Sequence, residues 1–332
     1  MMDWRAPWWQ GGRGAVGGNL QTIWPAVFAR PFPGAAIAVP ARRERWTAPD
    51  GDFVDVDWLA EPAGPASPLL VLYHGLEGSS DSHYAQAFGH WARQQGWGCA
   101  VPHFRGCSGE LNQAPRFYHS GDFAEIDWQL ARFAELHPHG PRVAAGVSLG
   151  GNVLLRWAQE SGHAARQRVR AVAALCSPVD LGAAGDAIAR GFNRWVYTRM
   201  FLSSMKPKAL AKLRDFPGLY DERALRKARD LREYDNVVTA PLHGFVDAED
   251  YWARCSAKPH LAHMVGVPAL VLNARNDPFI PAWSLPTPDQ VSSWVTLWQP
   301  PHGGHVGFGE GPWPGHVGAL PLAVGPWLAA HC

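Results

Sequence analysis

The stretch Gly146-Val147-Ser148-Leu149-Gly150-Gly151-Asn152 decides how this chain is read. It follows the apolar run Arg142-Val143-Ala144-Ala145 and leads into Val153-Leu154-Leu155-Arg156-Trp157-Ala158, a helical pattern. Strand, sharp turn and helix therefore meet at Ser148. Such a turn strains the backbone at its apex and presses strand against helix, so its neighbours must be small. Glycines at 146, 150 and 151 supply the room. The helix that starts just past the serine points its unpaired N–H groups and positive dipole end toward any negative charge formed there.

Working outward, His74-Gly75-Leu76-Glu77-Gly78 directly follows the apolar run 69–73. A loop in that place supplies the second backbone donor that a nucleophile elbow needs, so the Leu76 and Leu149 N–H groups are the expected oxyanion hole. His74 is then a brace for its own loop. A serine nucleophile on this architecture takes its acid and its base from later loops, in that order, each at the carboxyl end of a strand. Asp277, in Asn273-Ala274-Arg275-Asn276-Asp277-Pro278, and His305, in Pro301-His302-Gly303-Gly304-His305-Val306-Gly307-Phe308, occupy such places. Asp180, Asp247 and Asp250 rival the acid, and His302 rivals the base. Position after the penultimate strand favours Asp277. The expected catalytic set is Ser148, Asp277 and His305.

The remaining pattern gives the frame. Apolar runs at 69–73, 98–101, 143–147, 171–175, 269–273 and 294–298 alternate with helix-like segments such as 83–95 and 123–136. Short apolar runs bounded by glycine and proline, with amphipathic helices between them, indicate a mostly parallel twisted sheet with helices on both faces: an α/β fold of the α/β-hydrolase type. Residues 45–47 and 53–58 flank Ala48-Pro49-Asp50-Gly51-Asp52 as a hairpin, and 61–68 reads as an exposed loop. Between 181 and 264 the strand-like runs give way to stretches dense in Arg, Lys, Leu and Ala, notably 206–213 and 223–232. The expected division is a hydrolase core of 1–180 and 265–332 with a helical cap of 181–264 inserted over the site. The glycine-rich segment ahead of the hairpin reads as a flexible leader, and Trp8, Trp9 and Trp24 as core fillers.

Composition narrows the partners. Thirty Lys and Arg balance 29 Asp and Glu, which gives a net charge of +1 and no strong pull toward nucleic acid or an anionic membrane. The expected partner is a small-molecule ester. Cys99, Cys107, Cys176, Cys255 and Cys332 are odd in number and unpaired in spacing, which argues against a disulfide framework or a zinc ribbon. No HExxH pattern and no GxxxxGK[ST] loop occurs. Gly12-Arg13-Gly14-Ala15-Val16-Gly17 matches GxGxxG without a strand before it, so a dinucleotide site is not expected. The expectation is no cofactor, no metal, no integral membrane segment and a cytoplasmic location.

Several of these stretches together resemble the YheT-like branch of the α/β-hydrolases, the AB hydrolase-4 family, over nearly the whole chain. They are His74-Gly75-Leu76-Glu77-Gly78-Ser79, Phe104-Arg105-Gly106-Cys107-Ser108-Gly109, Gly146 to Asn152, and Gly303-Gly304-His305-Val306-Gly307-Phe308. Asn19-Leu20-Gln21-Thr22 looks like the family's His-Leu-Gln-Thr signature with Asn19 in place of the His. The resemblance implies a carboxylic-ester hydrolase acting on short- to medium-chain acyl esters through an acyl-enzyme, with Ser148, Asp277 and His305 as its triad. It also admits a lipase or acyl transfer to an alcohol. Arg105 and Asp122 fall in family-like segments and are expected to be buried polar bracing. A non-catalytic binding protein on the same fold is the rival from another class.

Overall fold

Eight strands form one sheet: β1 (Arg42–Thr47), β2 (Phe53–Ala60), β3 (Leu69–Tyr73), β4 (Gly98–Pro102), β5 (Arg142–Val147), β6 (Val172–Leu175), β7 (Ala269–Leu272) and β8 (Val295–Trp298). The computed structural model describes residues 15–34, 39 and 41–332. Strand order is β1-β2-β4-β3-β5-β6-β7-β8, with β1 and β2 antiparallel and all pairs from β4 to β8 parallel. The inner parallel strands are almost wholly buried, because helices cover both of their faces, whereas the edge strand β8 leaves Thr296 exposed. Leu70 and Leu72 pack with Phe88 and Trp91 of α2 (His83–Gln95) and with Leu320 and Val324 of the helix Ala319–Ala329. Leu69 and Val71 turn the other way, onto Ile126 and Leu130 of α3 (Phe123–Leu136) and Val153 and Leu154 of α4 (Leu149–Ser161).

The hairpin is held by charge as well as by the ladder. Arg43 stands opposite Asp57 and Arg45 opposite Asp55. Each pair closes, at 2.7 and 2.8 Å, over a carboxylate that is almost wholly buried. Arg105 is the buried brace expected of it, donating to Glu125 at 2.6 Å and to Asp50 and Asp52 at 2.8 Å. Asp122 departs from expectation: it is half-buried, at the start of α3, and pairs with Arg116.

The segment 181–264, between β6 and β7, carries no strand. It comprises α5 (Leu181–Ile188), the helices Arg199–Asp215, Glu222–Lys227 and Ala248–Cys255, and shorter turns, with π-helical stretches at Arg194–Thr198 and Asp235–Thr239. The stretch 206–213 lies within one helix, whereas 223–232 is broken. Asp230 interrupts it by capping the short helix Leu231–Tyr234, its side chain accepting the Glu233 N–H.

Part of the glycine-rich leader is helical, against expectation. Residues Ala15–Val27 form a helix, α1, despite Gly17 and Gly18. A Cβ at Gly18 would come within 2.0 Å of the Asn276 carbonyl oxygen, so close docking selects a residue that helix propensity disfavours. The rest of the GxGxxG match, residues 12–14, lies outside the described residues, as do Trp8 and Trp9. Trp24 is half-buried rather than core, stacked between Phe28 and the exposed Trp313. All five cysteines are free thiols, and only Cys332 is exposed. No helix among the described residues is long and apolar enough to cross a membrane.

Candidate active site

Ser148 sits at the end of β5 with φ 53° and ψ −121°, a conformation that L-residues rarely adopt. The glycines around it are needed for space. A Cβ at Gly146 would meet the Gly150 carbonyl oxygen at 2.3 Å, and one at Gly150 would meet the His74 carbonyl oxygen at 2.5 Å. One at Gly151 would overlap the Ser177 hydroxyl. α4 begins at Leu149, so the serine lies at the positive end of a 13-residue helix.

The loops after β7 and β8 bring Asp277 and His305 to this serine. His305 Nε2 lies 3.1 Å from Ser148 Oγ, and His305 Nδ1 lies 2.8 Å from Asp277 Oδ2. The Asp277 side chain is wholly buried, and its second oxygen accepts the Phe279 N–H at 2.8 Å. A carboxylate facing Nδ1 keeps the proton there, which leaves the Nε2 lone pair directed at the hydroxyl. The Phe279 ring lies 4.2 Å from the imidazole and limits its tilt. Val306 and Phe308 turn the loop with φ of 58° and 45°, and His83 donates to the Val306 carbonyl at 3.1 Å. Burial pushes His83 down to about 4, so it acts there as a neutral donor.

Leu76 and Leu149 both border the cavity at Ser148, and neither amide has a hydrogen-bond partner among the described residues. A Cβ at Gly75 would touch the Ser148 Cβ at 3.2 Å, a measure of how closely the loop after β3 approaches. Glu77 turns that loop with φ 57° and donates its N–H to the Tyr118 hydroxyl at 2.9 Å. His74 is a brace: its Nδ1 donates to the Gly75 carbonyl at 2.8 Å, and its Nε2 accepts the Phe104 N–H at 3.0 Å. Burial pushes its pKa down to about 3.

The rival residues have other work. Asp180 caps α5 by accepting the Ala183 N–H, and Asp247 caps Ala248–Cys255 by accepting the Asp250 N–H. Asp250 binds the Val246 N–H and Arg254. His302 is exposed to solvent.

Over Ser148 opens a cavity of about 120 Å³. Leu181, Ala184, Ile188 and Phe201 from the segment 181–264 and Phe279 and Ile280 from the loop after β7 make most of its wall apolar. Ser120, Asp235 and Tyr251 are its polar lining besides Ser148 and His305. Asp235 escaped the sequence reading because nothing in its neighbourhood marks it. Burial pushes its carboxyl up to about 6 against hydrogen bonds from Thr239 at 2.6 Å and the Trp252 indole at 2.9 Å. Among the described residues, no three His, Cys, Asp or Glu side chains converge so as to hold a metal ion.

A family model described as the alpha/beta hydrolase fold matches residues 68–312. The Escherichia coli (strain K12) protein named "Putative esterase YheT" is 38% identical, across 89% of this chain and 85% of its own length. Human phospholipase ABHD3 is 29% identical, across 89% of this chain and 75% of its own length. Among solved structures, the α/β hydrolase GrgF from Penicillium sp. sh18 superposes with a TM-score of 0.54 at 16% identity, covering 88% of this chain and 99% of the other. That likeness speaks for the fold alone.

Proposed function

The chain belongs to the α/β-hydrolase fold family, in its YheT-like branch, and on that premise we propose that it is a serine carboxylic-ester hydrolase acting on short- to medium-chain acyl esters. The observation that carries this reading is the unbroken line from Asp277 through His305 to Ser148, at 2.8 and 3.1 Å. His305 takes the Ser148 proton as the oxygen attacks the ester carbonyl, and Asp277 stabilises the imidazolium that forms. The Leu76 and Leu149 amides hold the oxyanion. His305 then returns the proton to the leaving alcohol, and water, activated by the same imidazole, releases the acid from Ser148. Residues 181–264 act as a cap whose apolar wall receives the acyl chain. The relatives' names, esterase and phospholipase, support an ester as the bond cleaved.

The test is hydrolysis of p-nitrophenyl esters from acetate to palmitate by the wild type and by Ser148→Ala. A single optimum of chain length, with turnover reduced by roughly 10⁴-fold or more in the variant, is the expected result. Equal activity in the two proteins would overturn it. The apolar wall of the cavity also favours transfer of the acyl group to an alcohol as a second reading. Adding hexanol to the same assay and measuring hexyl ester against free acid separates the two.

A further inference from the structure

The acid and base loops leave neighbouring paired strands, whose ladder is continued as far as the Arg275 N–H donating to the Pro300 carbonyl at 2.8 Å; Asp277 and His305 lie beyond that bond. Helix α1 joins them. Gln21 Oε1 accepts the Gly303 N–H at 3.0 Å and the Asn276 side-chain N–H at 2.8 Å. Asn276 Oδ1 in turn accepts the Gly304 N–H at 3.1 Å. Thr22 Oγ1 accepts the backbone N–H of His305 at 2.9 Å while its own proton goes to the Gly18 carbonyl at 2.7 Å. Asn276 is the residue before Asp277, and Gly304 the residue before His305. The bonds therefore grip the acid loop one residue before Asp277, and the base loop at Gly303, Gly304 and the His305 backbone itself.

Two features show that this junction is specific. The first is chemical: a backbone N–H only donates, so the atoms facing Gly303 and Gly304 must be amide oxygens, and only one orientation of the Gln21 and Asn276 amides satisfies both. The second is steric. A Cβ at Gly307 would reach within 1.8 Å of the Gln21 carbonyl oxygen, and one at Gly304 within 2.8 Å of Thr22 Oγ1. With Gly18 against the Asn276 carbonyl, glycines on both partners let helix and loops touch backbone to backbone. Gln21 and Thr22 are buried, at 1% and 7% exposure, so water is poorly placed to replace them.

We infer that Gln21 and Thr22 are positioning residues, which act through Asn276, Gly303 and the His305 backbone to hold the acid and base in register with Ser148. This rests on the triad proposed above. An imidazole moved by a fraction of an ångström loses alignment with both Oγ and the carboxylate, while the substrate cavity, built by other residues, is unchanged. The effect should fall on turnover and spare binding.

Thr22→Val keeps the shape of the side chain and removes the acceptor; Thr22→Ser keeps the acceptor. On p-nitrophenyl butyrate, Thr22→Val is expected to lower kcat roughly 10- to 100-fold with KM changed less than about twofold. Thr22→Ser should recover most of the loss, and Gln21→Met should behave as Thr22→Val does. The rate at which a fluorophosphonate labels Ser148 should fall in parallel, since that reaction also needs the imidazole in place. Unchanged kcat in folded Thr22→Val overturns the inference. So does a loss that tracks melting temperature and is not recovered by Thr22→Ser, because it marks a merely structural helix. If Thr22→Val does not fold, Gln21→Met decides on the same readouts. The Ser148→Ala control keeps the two proposals apart: activity that survives in it sinks the triad, whereas activity lost in it but intact in Thr22→Val sinks only the role of α1.

Discussion

The Glu77 carboxylate accepts the Lys208 ammonium at 2.7 Å, a bond that runs from the loop after β3 to the helix Arg199–Asp215 above it. Ser204 on the same helix donates to the same carboxylate, and Tyr118 donates to its other oxygen at 3.0 Å. The residue that follows the proposed oxyanion donor Leu76 is thereby tied to the cap. Lys208→Met should loosen that tie: amide hydrogen exchange in 199–215 is expected to quicken while β5 stays protected. Lys208 is about a third exposed, so a double-mutant cycle with Glu77→Gln should return a coupling of only about 1 kcal/mol. Zero coupling would mean that the contact holds nothing in place.

For the acid and base, Asp277→Asn should lower kcat by roughly 10³- to 10⁴-fold, because the amide no longer enforces the proton on Nδ1. His305→Ala should cost at least as much. His302→Ala, at an exposed position of the same loop, should stay within about threefold of wild type. A larger effect at 302 than at 305 would reverse the assignment of the base.

On the proposed function, the cavity wall sets the acyl-chain length. Ala184 lines it and is nearly buried. Ala184→Phe should therefore shift the optimum of the p-nitrophenyl ester series to shorter acyl groups by several carbons, with acetate hydrolysis retained. An unshifted optimum would place the acyl chain elsewhere.

Stability should fall in mild acid. His74, wholly buried, is held down to about 3 by burial, and the half-buried His83, His119 and His243 to about 4, 3 and 3. In the unfolded chain each takes up its proton near pH 6.5. Between about 6.5 and 4 the unfolded state therefore binds more protons, and folding weakens as pH drops, by up to about 1.4 kcal/mol per unit for His74. Asp235 opposes this. Its carboxyl, raised to about 6, costs the fold stability above that pH and returns it as pH falls toward 4. Glu125, its carboxyl also pushed up by burial, acts in the same direction as Asp235. Four histidines outweigh the two carboxyls, so urea midpoints at pH 7.5, 6 and 5 should decline in that order. A flat series would contradict the buried, neutral histidines.

The elbow, the hairpin and the parallel strands were legible because each is a local pattern: glycines beside Ser148, a Pro-Asp-Gly turn, apolar runs four or five residues long. That Asp277 and His305 meet at Ser148 was expected from chain order. The helix α1 was not legible, because Gly17 and Gly18 read as flexibility when the reason for Gly18 lies in Asn276, more than 250 residues away. The helical character of 181–264 showed in its composition, but its breaks depend on single N-caps such as Asp230. The cavity wall was beyond reach for a simpler reason: it gathers residues from Leu76 to His305, whose nearness only the folded chain creates.

Helix α1 precedes every strand, and the loops it grips follow the last two. During synthesis the serine turn thus emerges before the loop that carries His305, and helix α1 can make its bonds to Asn276 and Gly303 only once both loops exist. A chain cut short after β6 would carry Ser148 without Asp277 or His305, so on the proposed function such products should be hydrolytically silent.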